Sequence, residues 1–416
     1  MKKRPNLIRQ VLCALVLCGL CGCGVNTTIF NNSTTGQLHP CGIALANLTT
    51  AGTSKDCAVA ICTYEGENTP GYVFVWKSCK ALLNSSQQGT NMPNPDYEIT
   101  NIADPEAVAF DNAGNLFISS PSNGAIHYIS LTKLESSATS SGQSVPTLDA
   151  SEPGSIDAYY IPSTLSSETS ATYADTYSAP RGLTFDQDDG NLYVVMENYT
   201  RTYTNPNTPA INSSAVLQIV NPASSSPTIN TVSTNFSDAD PGTNTGQPND
   251  VAQNCLDISY SHVHQCFFLT DIFNQRLHQL SWPQGQSVTS TKGANLAEPT
   301  TAIVLPNGQF CLGVGLSNDP NSQDSIYCTS SDLATNCQLN AFAYNQWNNY
   351  VNGTPPSSVR KLDAPTPAAA PQFDVGYFTA WGVEVMPYLN ADGKAILHGI
   401  LVADAPQNKV VSFSTP

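Results

Sequence analysis

The chain has 416 residues, of which 12% are charged, and 16 Lys+Arg stand against 32 Asp+Glu for a formal net charge of −16. A phosphate-backbone binder needs a basic face, so nucleic acid is excluded as a partner, and a hydrophobic content of 40% excludes wholesale disorder. At roughly 100–200 residues per domain, the length allows two to four domains or one large repeat architecture.

Lys2, Lys3, Arg4 and Arg9 precede an apolar, small-residue run from Val11 to Gly22. That run is too short to span a bilayer as a mature helix and suits the core of an export signal. It closes on Leu20-Cys21-Gly22-Cys23, which resembles a bacterial lipobox, with Leu three places before the final Cys and small residues between. The resemblance implies a signal peptide over 1–22 and a diacylglycerol on the thiol of Cys23. The other reading is an ordinary signal peptide cut near Gly24. Gly24 in place of Asp after the anchor is consistent with an outer-membrane address, facing the periplasm or the cell surface. Residues 23–38 read as a lipidated tether, in which Val25 to Phe30 has β-branched residues enough to supply a closing strand, and 39–416 as one folded domain.

Beyond the tether one pattern recurs in chain order. A weak copy begins at Cys41-Gly42-Ile43. The clearest runs from Asp104-Pro105-Glu106-Ala107 through the turn Asn112-Ala113-Gly114-Asn115 to Leu116-Phe117-Ile118-Ser119 and Ala125-Ile126-His127-Tyr128. Further copies start at Pro180-Arg181-Gly182, Leu256-Asp257, Leu312-Gly313 and Trp381-Gly382. Each is a set of short strands joined by Gly/Asn/Asp turns, with no helical period. Such self-similarity is what sheets stacked around an axis require, because each must bury its faces against like neighbours. The expected fold is therefore an all-β propeller. Six copies are counted, and seven remain open if 140–178 hides a degenerate one. The spacing exceeds the roughly 40–45 residues of minimal propeller repeats, and the surplus lies in Ser/Thr/Asn-rich insertions at 135–178, 198–214 and 221–247. The copies resemble NHL repeats, in which proline and glycine lead an apolar pair, a D-x-x-G-N turn and an aromatic strand.

Nine of the 13 cysteines lie beyond Cys23. In an oxidising envelope Cys41, Cys57, Cys62 and Cys79, then Cys255 and Cys266, then Cys311 and Cys328 are candidates for short-range disulfides, with Cys337 left over. No body cysteines have the CxxC spacing of a zinc site.

In a propeller the loops entering the innermost strands form one rim where ligands bind. The positions just before the repeat glycine are Cys41, Glu106, Arg181, Leu256, Leu312 and Trp381. Gluconolactonase and other SMP-30-like propellers hold a divalent cation near the axis with several oxygen ligands. A resemblance of Pro248-Asn249-Asp250 to that family implies Glu106, Asn249 and Asp250 as metal ligands. Against it, the ring offers one carboxylate beside one guanidinium, and Glu106 and Arg181 would sooner neutralise each other. No cofactor is therefore expected, with Ca²⁺ or another divalent cation as the alternative. Asp186-Gln187-Asp188-Asp189-Gly190 reads as a hairpin turn, Asp271 and Asp404 as structural strand ends, and His127 and His278 as scattered single histidines. No GxSxG elbow, P-loop, HExxH or Rossmann fingerprint occurs. The insertion 198–214 carries Tyr199, Arg201 and Tyr203, residue types favoured as binding anchors. With Arg181 and Trp381 they make a candidate rim patch, unless the aromatics pack on the sheet beneath. The expected function is a lipid-anchored envelope module that binds a protein, peptide or glycan by its rim, the alternative a metal-dependent lactonase or hydrolase.

Overall fold

The computed structural model describes residues 26–29, 40–48, 56–63, 70–78, 94–140, 145–165, 170, 172–208, 210–233, 255–261, 266–271, 276–281, 288–292, 299–304, 309–314, 325–332, 334–335, 338–339, 359–362, 380–389, 395–404 and 409–414. Among these the chain is almost wholly β, with one short 3-10 turn at Pro121–Asn123 and a seven-residue helix at Leu131–Ser137. No helix among them is long and apolar enough to cross a membrane.

The strands form six sheets of four or five strands and one two-stranded ribbon. The first sheet runs Pro40–Leu48, Asp56–Thr63, Pro70–Trp76, Tyr97–Ala103, with Thr147–Asp149 added in parallel at its outer edge. The second takes Val108–Phe110, Asn115–Ser120, Ala125–Ser130 and Asp157–Tyr160. Tyr173–Asp186, Asn191–Tyr203, Ile211–Val220 and Thr228–Ser233 make the third, and Cys255–Ser261, Cys266–Asp271, Arg276–Ser281 and Val288–Lys292 the fourth. The fifth is Pro299–Val304, Gln309–Val314, Ser325–Asp332 and Val359–Leu362. Ala380–Leu389, Ala395–Asp404 and Lys409–Ser414 form the sixth, whose outermost place is filled from the far end of the chain. There Asn26–Ile29 runs antiparallel to the C-terminal strand, Asn26 opposite Ser412 and Ile29 opposite Lys409.

The first strand of each sheet touches the first strand of the next, second through sixth in order, and the sixth touches the first. That cyclic contact is a propeller, and its cause is legible in the side chains. Along each strand alternate residues face opposite neighbours. In Asn115–Ser120, Leu116 and Ile118 pack with Ala44, Val75 and Ile99 of the first sheet, while Phe117 packs with Leu192, Val194 and Leu217 of the third. Tyr193 and Val195 in turn face Phe267 and Leu269 of the fourth. A sheet buried on both faces is stable only between two others, since each buried aliphatic or aromatic side chain contributes about 1.5–3 kcal/mol.

The repeat glycines set how closely the inner strands approach. A Cβ on Gly42 would stand 2.8 Å from the Cα of Ala107, and one on Gly182 would stand 2.7 Å from the Cα of Asp257. The equivalent positions of neighbouring copies therefore touch backbone to backbone. The D-x-x-G-N turn forms as its chemistry requires: the Asp111 carboxylate accepts from the amides of Ala113 and Asn115 at 2.9 and 2.8 Å, and Gly114 takes φ 81°.

The fifth copy is out of phase with the sequence reading. Leu312-Gly313 lies on the second strand of the fifth sheet, opposite Tyr327 and Ile326, and the inner strand is Pro299–Val304. The segment 140–178 supplies the edge strand of the first sheet, the fourth strand of the second and the start of the third, and not a separate copy. Among the cysteines, the hairpin register sets Cys255 opposite Asp271 and Cys266 opposite Ser261. The two lie at opposite ends of the hairpin, so the expected short-range pairing of Cys255 with Cys266 is excluded. Cys41 and Cys62 bring their sulfurs to 3.1 Å, and Cys41, Cys62, Cys255 and Cys266 are all thiols here. Cys311 and Cys328 are register partners, their side chains outside the described residues. Cys57 lies on the strand opposite Asn47, its side chain likewise outside, and Cys23, Cys79 and Cys337 are outside altogether.

Candidate functional site, the axial mouth and its projecting ribbon

Five inner strands share an irregularity at the same end. The register shifts between Pro40 and Ile43, Pro180 and Leu183, Cys255 and Asp257, Pro299 and Thr301, and Ala380 and Gly382. A bulge adds a residue on one strand and re-aims side chains there. The residues it carries are Cys41, Arg181, Leu256, Thr300 and Trp381, with Glu106 at the matching place just before Val108–Phe110. These bulged positions are the ones just before the repeat glycine in the sequence, with Thr300 in place of Leu312. The side chain of Trp381 lies outside the described residues.

Arg181 joins two sheets at this ring. Its NH1 pairs with Glu106 of the second sheet, and its Nε and NH2 reach one oxygen of Glu197 at 2.9 and 2.8 Å. All three side chains are half-buried or deeper, with 21%, 11% and 17% of their area exposed. Two carboxylates on one guanidinium leave the cluster one charge negative. Glu106 is further fixed by its chain: its amide donates to the Ser119 carbonyl at 3.3 Å, and the next amide, of Ala107, donates to Ser119 Oγ at 3.0 Å. Beside it the Cys41 thiol donates to the Pro105 carbonyl at 3.3 Å, and burial pushes that thiol well up from its ordinary value. On the next inner strand, Asp257 accepts from Thr301 Oγ1 at 2.6 Å and from the Ile258 amide at 2.9 Å. Burial nevertheless outweighs these bonds and pushes its carboxyl up to about 6.

The insertion at 198–214 is a continuation of the sheet and not a loop. Strands of 14 and 13 residues, Tyr173–Asp186 and Asn191–Tyr203, run past the mouth in register from Pro180 opposite Met196 to Tyr173 opposite Tyr203. At about 3.3 Å per residue the ribbon rises roughly 25 Å above Arg181. Its two faces differ. One carries Tyr177 and Tyr199 with ring centres 5.3 Å apart, then Asp175 and Arg201, then Tyr173 and Tyr203. Arg201 grips Asp175 through Nε and NH2 at 2.8 and 2.7 Å and lies 4.0 Å above the Tyr173 ring. The segment from Ile161 to Leu165 packs on this face, and the Tyr177 amide donates to the Ser163 carbonyl at 2.9 Å. The other face presents Thr176, Ser178, Asn198 and Thr202 to solvent, with Thr200 half-buried between them.

This decides the fate of the expected anchors. Glu106 and Arg181 meet as an ion pair at the mouth. Tyr199 is 2% exposed and belongs to the core, so it cannot meet a ligand. Arg201 and Tyr203 are half-buried, Arg201 spent on Asp175 and Tyr203 edge-on to Tyr173 at 6.3 Å. Asn249 and Asp250 lie outside the described residues. Glu197 and Asp175 went unnoticed in the sequence. The signal that finds them is strand pairing across a hairpin of known register, which sets Glu197 next to the partner of Pro180 and Asp175 opposite Arg201.

No family model matches the chain, and no curated protein matches it. Among solved structures, virginiamycin B lyase from Staphylococcus aureus is similar at 10% identity and TM-score 0.40, over 94% of this chain and 98% of that one. The Swd1 β-propeller domain of Myceliophteria thermophila is similar at 9% identity and TM-score 0.44, over 94% and 100%. Likenesses this loose identify neither a family nor an activity, and the propeller rests on the order and contacts of the strands themselves.

Proposed function

We propose that the protein is an exported, NHL-type β-propeller, anchored in the cell envelope through a lipid on Cys23, that binds a partner along the projecting ribbon of its third sheet. The observation that carries the reading is the ribbon itself: paired strands, locked on one face by Tyr199, Tyr177 and the Arg201–Asp175 pair, that continue the third sheet past the bulge at Arg181 as far as Tyr173 opposite Tyr203. A surface fixed before the encounter loses less ordering entropy on binding than a loop does. Its outer face holds hydroxyls and amides and no charge, which suits a polar, uncharged partner, with an envelope glycan first among the protein, peptide and glycan candidates. A metal-dependent lactonase would need Glu106 as a ligand, and Arg181 holds that carboxylate.

The test is binding of the mature chain to isolated cell-wall glycan, compared with Thr176→Arg/Thr202→Arg. These exposed positions accept arginine without touching the core, so the melting temperature should hold while binding falls at least tenfold. Undiminished binding by a folded variant would refute the ribbon, and hydrolysis of lactones or esters that stops with EDTA would replace binding with catalysis.

A further inference from the structure

Outside the mouth, three side chains of different chemistry meet between the third and fourth sheets. Cys255 opens the inner strand of the fourth sheet, Asp271 ends its second strand directly opposite, and His278 lies two residues beyond Arg276, the partner of Asp271 on the third. Their donor atoms all lie within 4.8 Å of one another. His278 Nε2 is 3.0 Å from Asp271 Oδ2, and Cys255, Asp271 and His278 are each 0% exposed. Three adjacent strands thus aim sulfur, oxygen and nitrogen at one buried point.

We propose that Cys255, Asp271 and His278 form a binding site for a borderline-soft divalent cation, for which zinc is the best match. A core position filled only for packing would take an aliphatic residue, as Leu269 and Leu280 do beside this cluster. The contact of His278 with Asp271 offsets part of the cost of burying both, but packing and that pair give no role to the sulfur aimed at the same point. A cation uses all three. Zinc accepts thiolate at about 2.3 Å and imidazole and carboxylate at about 2.0–2.2 Å, so tetrahedral ligand atoms stand roughly 3.3–3.6 Å apart. To reach that, the His278–Asp271 pair at 3.0 Å opens slightly and the farther atoms, within 4.8 Å, close by about 1 Å. Calcium and magnesium, which take oxygen ligands, do not suit a thiol. The cation would displace the thiol proton of Cys255 to solvent and leave a thiolate–metal bond. The proton shared between His278 and Asp271 would move to the other ring nitrogen, so that His278 binds as neutral imidazole and Asp271 as carboxylate, with the fourth coordination position open.

The surroundings hold the first ligand in place. The Cys255 amide donates to Ser214 Oγ at 3.1 Å, and that hydroxyl donates to the Glu197 carbonyl at 3.0 Å. The cluster is therefore tied to the backbone that presents Glu197 to Arg181, independently of whether the ribbon binds a glycan.

Cobalt titration of the reduced full mature chain tests the site. One equivalent should give a sulfur-to-cobalt charge-transfer band with tetrahedral d–d bands, and zinc should displace it. Cys255→Ser should abolish the charge-transfer band, Asp271→Asn and His278→Gln should weaken binding by at least about tenfold, and Cys41→Ser/Cys62→Ser should keep the full signal. Because His278→Gln or Asp271→Asn can unfold the chain, the wild-type melting temperature is read with zinc and after chelation, and zinc should raise it reversibly. No charge-transfer band in the folded wild type, a band that survives Cys255→Ser, or a melt indifferent to zinc would each overturn the proposal.

Discussion

Gly182→Ala places a methyl carbon 2.7 Å from the Cα of Asp257 and 2.8 Å from the Ile258 nitrogen and the Leu256 carbonyl oxygen. Carbon atoms in ordinary contact stand about 3.5–4.0 Å apart, so the third and fourth inner strands must part by roughly 1 Å. All three opposing atoms are backbone, and no side-chain rotation relieves them. Overpacking of this kind costs about 1–3 kcal/mol, and a clash with unyielding main chain belongs at the upper end. The loss of chain freedom in the unfolded state returns at most about 1 kcal/mol, leaving a net destabilisation of about 2 kcal/mol. Urea unfolding followed by circular dichroism measures it. Gly190→Ala is the control: that glycine has φ +75° with nothing within 4 Å of its Cβ position, so alanine meets only the left-handed strain of about 1 kcal/mol. If Gly182→Ala proved as stable as the wild type, or no less stable than Gly190→Ala, the neighbouring copies would not touch at these positions and the ring would be wrongly phased.

Three other outcomes follow from the same geometry. The Asp257 carboxyl is raised to about 6, so between about pH 4 and pH 6 the folded state keeps a proton that the unfolded chain, near 3.9, has released. Its contribution is present at low pH and is lost as pH rises through 6; Asp257→Asn should therefore be more stable than wild type by about 3 kcal/mol at pH 8 and gain little at pH 4, and equal gains at both would refute the burial. Tyr199→Ala should lose about 3–5 kcal/mol as a core truncation, whereas Tyr203→Ala, at the half-buried tip, should lose under about 1 kcal/mol; matching losses in thermal melts would return Tyr199 to the surface. Deleting 25–31 removes the outer strand of the sixth sheet, and the melting temperature should drop sharply; an unchanged melt would make that pairing energetically idle.

The glycines of the first and third copies and the turn at Asp111 to Asn115 were legible because backbone approach and left-handed φ leave a mark on residue type. The phase of the fifth copy was not. Its inner strand, Pro-Thr-Thr-Ala-Ile-Val, has no glycine, and the glycine that mimics the repeat position, Gly313, sits on the next strand. The ribbon was hidden for a related reason: Thr, Asn and Tyr serve loops and exposed strands alike, and only the register distinguishes them. Tyr199 shows the cost of that ambiguity, since the segment that buries it, Ile161 to Leu165, lies 34 or more residues away in sequence. Glu106 and Arg181 could be paired in advance because both precede the repeat position of adjacent copies, while the gathering of Cys255, Asp271 and His278 depends on three strands whose alignment no local spacing encodes.

The strand Asn26–Ile29 begins only three residues after Cys23. With the proposed acyl chains on that cysteine, Gly24 and Val25 are the whole slack between lipid and sheet, about 10 Å at full stretch. The disc would then rest on its edge against the bilayer, hinged at the sixth sheet, and the third sheet, half a turn around the circle, would sit on the far side with its ribbon running out parallel to the membrane. Tugging on a partner held there would load the N-terminal strand in shear, along with the C-terminal strand it zips to, so the membrane leash and the clasp of the ring would be one mechanical part.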